Sequence, residues 1–422
     1  MNYNEALEYI HGISWTFCKP GLDRIARLCE LLGNPQDSLR FVHVAGTNGK
    51  GSFCSMLSSI LAHAGYKVGL YTSPYIYRFN ERMRVNGVDI PDAALAEITE
   101  YVKPLADSME DKPTEFELIT AIAFEYFKRE GCEIVVLEAG MGGRLDSTNI
   151  IRNPLLSVIT GIALDHTAFL GDTTAKIARE KAGIIKDGAP VLFGGTDRDA
   201  LEIISTVAEE RKSKLFSPDF DRLSVRSADL SGSVFDYKTW HNMSISLLGL
   251  YQPRNASLVL EACEILSSRG ISISEGDIRE GLERALWRAR FEIIGREPLL
   301  IFDGAHNPEG ISAAVSSIKH YFGKKRVTVM SGVLSDKDYR AVAKSLSEVA
   351  DTAFTITPDN PRALCAKDFA AVLAEYGIKA TPCKDIKEAL ELGKRKAAED
   401  DTALCILGSL YTYVDVMHAL TY

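Results

Sequence analysis

Residues 46–52, Gly-Thr-Asn-Gly-Lys-Gly-Ser, combine the groups that polyphosphate binding requires. The glycines let backbone N–H groups turn inward around an anion. Lys50 adds a full positive charge, and Ser52 offers a hydroxyl for Mg2+. The spacing departs from the common GxxxxGK[ST] form, because Gly51 separates Lys50 from Ser52. The flanks favour phosphate binding over a plain Gly-Asn turn. Ahead lies an apolar, β-branched run at 41–45 that suits a buried strand. Behind it Met56, Leu57, Ile60 and Leu61 recur at helical spacing until Gly65.

Further chemistry-bearing residues fall at expected strand ends, where ligands of α/β sheets sit. The apolar run 133–138 closes on Glu138. A buried carboxylate is costly unless paired or coordinated, so Glu138 reads as a metal ligand ahead of a salt bridge. The strand expected at 155–160 leads to Asp165 and His166, and His166 reads as a metal ligand or as a structural histidine. Ser73, just past a strand at 68–71, reads as a ligand or as a Ser-Pro turn. Glu117 suits a helix cap or a ligand. Arg24 suits an anion or a solvated helix face. Arg179, Glu180 and Lys181 read by themselves as solvated charges. The run Asp303-Gly304-Ala305-His306-Asn307-Pro308 carries more polar groups than a plain strand-to-helix connection needs.

These residues need a scaffold, and 422 residues supply enough chain for two or three domains. Strand and helix patterns alternate, which predicts an α/β fold with a parallel core. Helices are expected at 4–10, 21–32, 114–128, 173–184, 198–211 and 278–286, with a loop at 15–20. Alternation over 223–248 predicts an antiparallel meander appended to that core. The stretch 287–298 reads as a linker, dividing a domain at 1–296 that carries the glycine loop from a smaller parallel α/β domain at 297–422. A net charge of −9 excludes a general affinity for nucleic acid or for a membrane surface. The eight cysteines form no CxxC pair and read as reduced and packed. No signal segment and no membrane-spanning run is read, so a cytoplasmic enzyme is expected.

The motifs closely resemble one family. GTNGKGS at 46–52, SPYIYRFNER at 73–82, EAGMGGRLDSTN at 138–149, LDHTAFLG at 164–171 and EKAGIIK at 180–186 resemble the folylpolyglutamate synthase/dihydrofolate synthase branch of the Mur ligases. RFE at 290–292, DGAHNP at 303–308, GVLSDKD at 332–338, NPRAL at 360–364 and GSLY at 408–411 continue the resemblance along the chain. It implies a P-loop ATPase domain followed by a Rossmann-like glutamate ligase domain, with the active site between them. ATP would phosphorylate the carboxylate of dihydropteroate or a reduced folate. L-Glutamate would then attack the acyl phosphate.

By the same resemblance Thr47, Asn48, Gly49, Lys50, Gly51, Ser52, Asn255, Arg290 and Asp303 would bind ATP. Ser52, Ser73, Glu138 and His166 would serve two Mg2+ sites, with K+ as a further cation. Lys50, His166, Lys181 and His306 would be catalytic, Lys181 in carbamylated form. Arg24, Arg82, Arg144 and Asp146 would contact the folate. The family is usually monomeric.

Three positions depart from the family pattern: Tyr75 and Tyr251 stand where histidine is frequent, and Ala289 where glycine is common. They bear on substrate preference. A bifunctional synthase is the expectation, ahead of a monofunctional folylpolyglutamate synthase. A nucleotide-gated binding module is the rival from another class. A peptidoglycan-precursor Mur ligase would carry a UDP-binding domain before the P-loop, for which 45 residues leave no room.

Overall fold

The computed structural model describes residues 1–13, 21–165 and 167–421. The loop expected at 15–20 and His166 lie outside them. The chain forms two compact units, Met1–Leu223 with Asn255–Ala285, and Ser224–Arg254 with Leu286–Tyr422. The meander and residues 286–296, read from sequence with the N-terminal part, belong to the second unit by their packing.

The first unit is built on strands β1 (Phe41–Ala45), β2 (Val68–Tyr71), β3 (Met83–Val85), β4 (Val88–Asp89), β5 (Ile134–Glu138), β6 (Leu156–Ile159), β7 (Val191–Phe193) and β8 (Leu215–Phe216). They form one sheet in the order β4-β3-β2-β5-β1-β6-β7-β8. From β2 to β8 the pairing is parallel, and β3 and β4 extend it antiparallel. Every residue of β1, β2, β5 and β6 is buried, as near-continuous apolar strands inside a helix-covered sheet must be. Two clusters cover the faces. One gathers Ile25, Leu28, Leu118, Phe124 and Phe127, the other Ile159, Ile177, Phe193 and Ile204.

The sheet order places β1 between β5 and β6. The chain runs from β1 past β5 to reach β2, then returns across β1 from β5 to β6. The C-terminal ends of β1, β5 and β6 therefore open a crevice at a topological switch point.

The second unit holds the meander β9 (Leu223–Asp229), β10 (Gly232–Tyr237) and β11 (Trp240–Ile245). Its other strands are β12 (Glu292–Arg296), β13 (Leu299–Asp303), β14 (Val327–Ser331), β15 (Ala350–Thr355), β16 (Lys379–Pro382) and β17 (Leu404–Leu407). Their order is β12-β13-β17-β14-β15-β16, parallel except for β12. Strand β12 lies within the stretch read as a linker. It is a bulged edge strand of partly buried residues, so it lacks the apolar signature of its neighbours.

Most expected elements stand within two residues of their places. The helix expected at 278–286 is Glu275–Arg284, started by a capping box in which Ser274 accepts from Asp277 N and Asp277 accepts from Ser274 N. Among the described cysteines all are free, and Cys365 is exposed, unlike the packed state expected of them. Among the described residues no helix is long and apolar enough to cross a membrane.

Candidate active site

The glycine loop follows β1 directly. Gly46 has φ +152°, and a Cβ there would fall 1.9 Å from Thr160 Oγ1. Thr160, just past β6, donates from its hydroxyl to Asn48 O at 2.7 Å. Thr47 N donates to Gly161 O at 2.9 Å, and Ala163 N donates to the Thr47 hydroxyl at 3.1 Å. The segment 160–163 thus clamps the loop from the neighbouring strand end. Gly49, at φ +84°, caps the helix Lys50–His63 without a side-chain acceptor. A Cβ at Gly49 would meet Asn255 Oδ1 at 2.8 Å, which places Asn255 against the loop. Ser52 is buried in the first helical turn.

Two lysines converge here. Lys50 Nζ donates to Gly46 O at 3.1 Å and to Thr47 O at 3.3 Å. Lys181 Nζ donates to the same Gly46 carbonyl at 2.9 Å. Lys181 is buried, so it is not the solvated helix charge that its local pattern suggested. Burial and the nearby Lys50 lower its pKa to about 7, against the opposing pull of Asp165 and Asp146. Two lysine nitrogens on one carbonyl, with Lys50 repelling the charged form of Lys181, form a site that an anion would stabilise.

Glu138 ends β5 beside Val44 of β1 and is almost fully buried. Its Oε1 lies 4.0 Å from Lys50 Nζ, and its Oε2 accepts from Ser73 N at 3.1 Å. The Ser73 hydroxyl is buried with no hydrogen-bond partner among the described residues. A buried hydroxyl left unpaired is costly, and a hard cation is the partner that an oxygen beside a carboxylate takes. The pair Ser73 and Glu138 fits Mg2+ on that ground. A cavity lined by Gly46, Thr47, Lys50, Gly140, Met141, Gly142, Asp165 and Lys181 adjoins them.

The loop 140–146 packs on the helix Thr174–Ala182, which carries Lys181. A Cβ at Gly143 would meet Glu180 O at 2.9 Å and Lys181 O at 3.0 Å. Arg144 N donates to Glu180 O at 2.7 Å, and its half-exposed guanidinium pairs with Glu180 Oε1 at 2.9 Å. Asp146 is buried and accepts from Met141 N at 2.8 Å and from the Thr148 hydroxyl at 2.6 Å. Its pKa is raised by burial, with those hydrogen bonds opposing.

The expected folate arginines differ sharply. Arg24 lies in a two-nitrogen pair with Glu117, at 3.0 Å for each contact. Glu117 is also the N3 residue of the capping box begun by Thr114. Arg82 stacks on the rings of Tyr75 and Phe79, 5.1 and 5.7 Å from their centroids. Its Nε and Nη1 are buried without a hydrogen-bond partner among the described residues, so Arg82 has donors available for an anion.

In the second unit Asp303 ends β13 and is buried. It accepts from the Tyr251 hydroxyl at 2.8 Å, from Phe291 N at 3.0 Å and from Ala305 N at 2.8 Å. Arg290 Nη1 donates to Ala289 O at 2.9 Å and would lie 2.7 Å from a Cβ on Gly304. His306 Nδ1 lies 2.9 Å from Gly304 O. Ala289, at φ +55°, is buried in the left-handed region that glycine occupies more easily. Thr160 and His43 escaped the sequence reading, because a single threonine or histidine beside an apolar run carries no motif, and Thr148, inside the 138–149 motif, was given no role of its own.

Comparison with known proteins gives this geometry its kinship. Residues 44–263 match the Mur ligase middle domain, and 289–410 the Mur ligase glutamate ligase domain. The dihydrofolate synthase/folylpolyglutamate synthase of Bacillus subtilis is 38% identical over 430 residues, covering 99% of each chain. The chain belongs to the folylpolyglutamate synthase/dihydrofolate synthase family of Mur ligases. The folylpolyglutamate synthase of Lacticaseibacillus casei is 37% identical, with 97% of each chain covered. Escherichia coli FolC in complex with DHPP and ADP superposes with TM-score 0.88 at 31% identity, covering 100% of this chain and 98% of that one. Within this family frame the departures have visible contacts. Tyr75 lies under Arg82, and Tyr251 bonds to Asp303.

Proposed function

We propose that this chain is an ATP-dependent ligase that joins L-glutamate to the carboxylate of dihydropteroate and of reduced folates. The products are ADP and phosphate, and a bifunctional synthase is the preferred form. The observation that carries the reading is the Gly46 carbonyl shared by Lys50 and Lys181, with Glu138 within 4.0 Å of Lys50 and the unpaired Ser73 hydroxyl on the residue that bonds Glu138. Relatives that bear both activities in their names match the chain end to end and support it.

A carboxylate is a poor acyl donor, and phosphorylation gives it a leaving group. Its oxygen attacks the γ-phosphorus of ATP, and the bond to the β-phosphate oxygen breaks, releasing ADP. The glutamate amine then attacks the acyl carbon, and phosphate leaves with the bonding pair. Both steps bring anions together, so positioning and charge neutralisation carry the catalysis. The glycine loop and Lys50 hold the phosphates. Arg82 is assigned to the pterin acid through its unused donors, and Arg144 of the 140–146 loop to the same substrate. Arg24 and Asp146 are assigned to shaping the folate loops, because their polar atoms are spent on Glu117 and on the 140–148 backbone. Arg290 and Asp303 are proposed for nucleotide contact, and His306 for the γ-phosphate and glutamate.

Ser52, Ser73 and Glu138 would hold Mg2+, and His166 would serve a second ion. Bound magnesium supplies neutralisation of phosphate charge. K+ is proposed as a further activating cation.

Lys181 is proposed to react with CO2. Its amine forms an N–C bond and gives up a proton, and the cation becomes a carbamate anion. A pKa of about 7 leaves much of that amine neutral and nucleophilic near neutrality. Native mass spectrometry in bicarbonate is expected to show one added CO2, lost in Lys181→Ala. Short carboxylic acids are expected to restore part of that variant's turnover.

The deciding experiment is phosphate release with ATP, Mg2+ and L-glutamate, with 7,8-dihydropteroate, with tetrahydrofolate, or with neither. Turnover with both acids is expected. Turnover with tetrahydrofolate alone narrows the enzyme to polyglutamylation, and release independent of any pterin acid overturns the ligase reading.

A further inference from the structure

His43 is the polar residue in the middle of an otherwise apolar β1, and it is fully buried. Its Nε2 lies 2.8 Å from Thr148 Oγ1. Its Nδ1 is buried with no partner among the described residues. The threonine hydroxyl has one hydrogen, and it donates that hydrogen to Asp146 Oδ1 at 2.6 Å. Thr148 Oγ1 must therefore accept from the ring, which makes His43 a neutral imidazole protonated on Nε2. Burial, with nearby Lys186, lowers its pKa to about 3, so the ring stays neutral.

The chain of bonds continues outward. Asp146 Oδ1 also accepts from Thr148 N at 3.1 Å, and Asp146 Oδ2 accepts from Met141 N at 2.8 Å. The carboxylate thereby closes the loop 141–146 upon itself. Gly140, Met141 and Gly142 of that loop line the cavity beside Lys50 and Lys181. The backbone at Gly143 and Arg144 presses on the carbonyls of Glu180 and Lys181. One line of hydrogen bonds thus runs from β1, three residues before Gly46, to Met141 in the cavity lining. A leucine would fill the His43 site without the cost of an unpaired buried nitrogen.

We propose that His43 and Thr148 are positioning residues that act through Asp146 to hold the 140–144 loop, and with it Lys181, in register with the glycine loop. They touch no substrate. Their contribution is the shape of the cavity in which the acyl phosphate forms, so the inference rests on the ligase reading.

The test uses the full chain and steady-state kinetics of His43→Leu, His43→Gln, Thr148→Val, Thr148→Ser and the double variant His43→Leu/Thr148→Val, each with its thermal unfolding curve. His43→Leu and Thr148→Val are expected to lower kcat about tenfold or more, as small misplacements of reacting groups do. KM for ATP should stay within about twofold, because no nucleotide contact is removed. The double variant should be no slower than the slower single variant, because both break one line of bonds. Glutamine at 43 and serine at 148 keep the same donors and should recover most of the rate. Wild-type kcat in His43→Leu, additive losses, or glutamine no better than leucine at equal stability would overturn the proposal.

If His43→Leu does not fold, the threonine pair and nitrogen NMR of the unaltered chain decide. A neutral ring protonated on Nε2 is expected. An Nδ1–H ring, or one titrating near the ordinary value of about 6.5, overturns the relay. A wild-type chain with no ligase turnover sinks the ligase reading instead, and the NMR result still judges the relay.

Discussion

Ser73 separates function from stability at a single atom. Its backbone N–H bonds to Glu138, while its hydroxyl is buried without a partner. Replacing it by alanine removes no hydrogen bond of the hydroxyl and relieves an unsatisfied group worth about 1–3 kcal/mol. We expect Ser73→Ala to unfold at the same temperature as the parent or higher, while magnesium-dependent turnover falls at least about tenfold. Calorimetry with phosphate release checks both halves, and a variant that is both less stable and fully active contradicts the assignment. At this scale the sequence was partly legible. Glu138 and Lys50 could be named from an acid at a strand end and a lysine in a glycine loop. Lys181 could be named only through the family resemblance, because its neighbours Arg179 and Glu180 make its helix turn look solvated. Arg24 shows the converse, since nothing local announces that Glu117 occupies its guanidinium.

Among the elements, the 140–146 loop and the helix Thr174–Ala182 act as a pair. Gly143 approaches two carbonyls of that helix so closely that a methyl group would have to displace backbone. Gly143→Ala is expected to cost about 1–3 kcal/mol, read as a lower denaturation midpoint, and to reduce kcat by moving Lys181. Gly276→Ala provides the contrast. Its site is an exposed position in the first turn of the helix Glu275–Arg284, with the Ser274 hydroxyl the nearest atom at 3.6 Å. That change should stabilise by about 1 kcal/mol, the helix preference of alanine over glycine. The main strands were legible because buried parallel strands are unbroken apolar runs. The β3–β4 hairpin was not read, although its Asn86-Gly87 turn, with φ of 47° and 80°, is a strong local signal. Its strands are too short for alternation to register. Strand β12 escaped because a bulged edge strand has no apolar run to read.

The whole molecule expresses its buried ionisable groups as a dependence of stability on pH. Unmodified, as in CO2-free buffer, Lys181 has a folded pKa of about 7 against an ordinary 10.5. Between those values the unfolded chain carries a proton that the folded chain lacks, so this group makes stability rise with pH from about 7 to 10.5. His43, at about 3 against 6.5, has the same sign, and its contribution is lost as pH falls from 6.5 towards 3. Chemical denaturation across pH should show both slopes. Lys181→Met should flatten the alkaline one and His43→Leu the acidic one. Slopes unchanged in these variants would place the titration elsewhere.

From its sequence alone the chain determined the residue types, the glycine loop with its strand and helix, the alternation that makes an α/β fold, and the run of motifs that marks the family. Those are properties of neighbours along the chain, where spacing and polarity suffice. Tertiary structure decided which of those residues meet. Gly46, Glu138, Thr160 and Lys181 are far apart in sequence, and they come together because β1 is hydrogen-bonded between β5 and β6. Only that crossing order brings the three strand ends to one crevice. Burial there changes the chemistry: it unpairs the Ser73 hydroxyl, lowers Lys181 towards neutrality, and turns His43 from a strand residue into a hydrogen-bond donor.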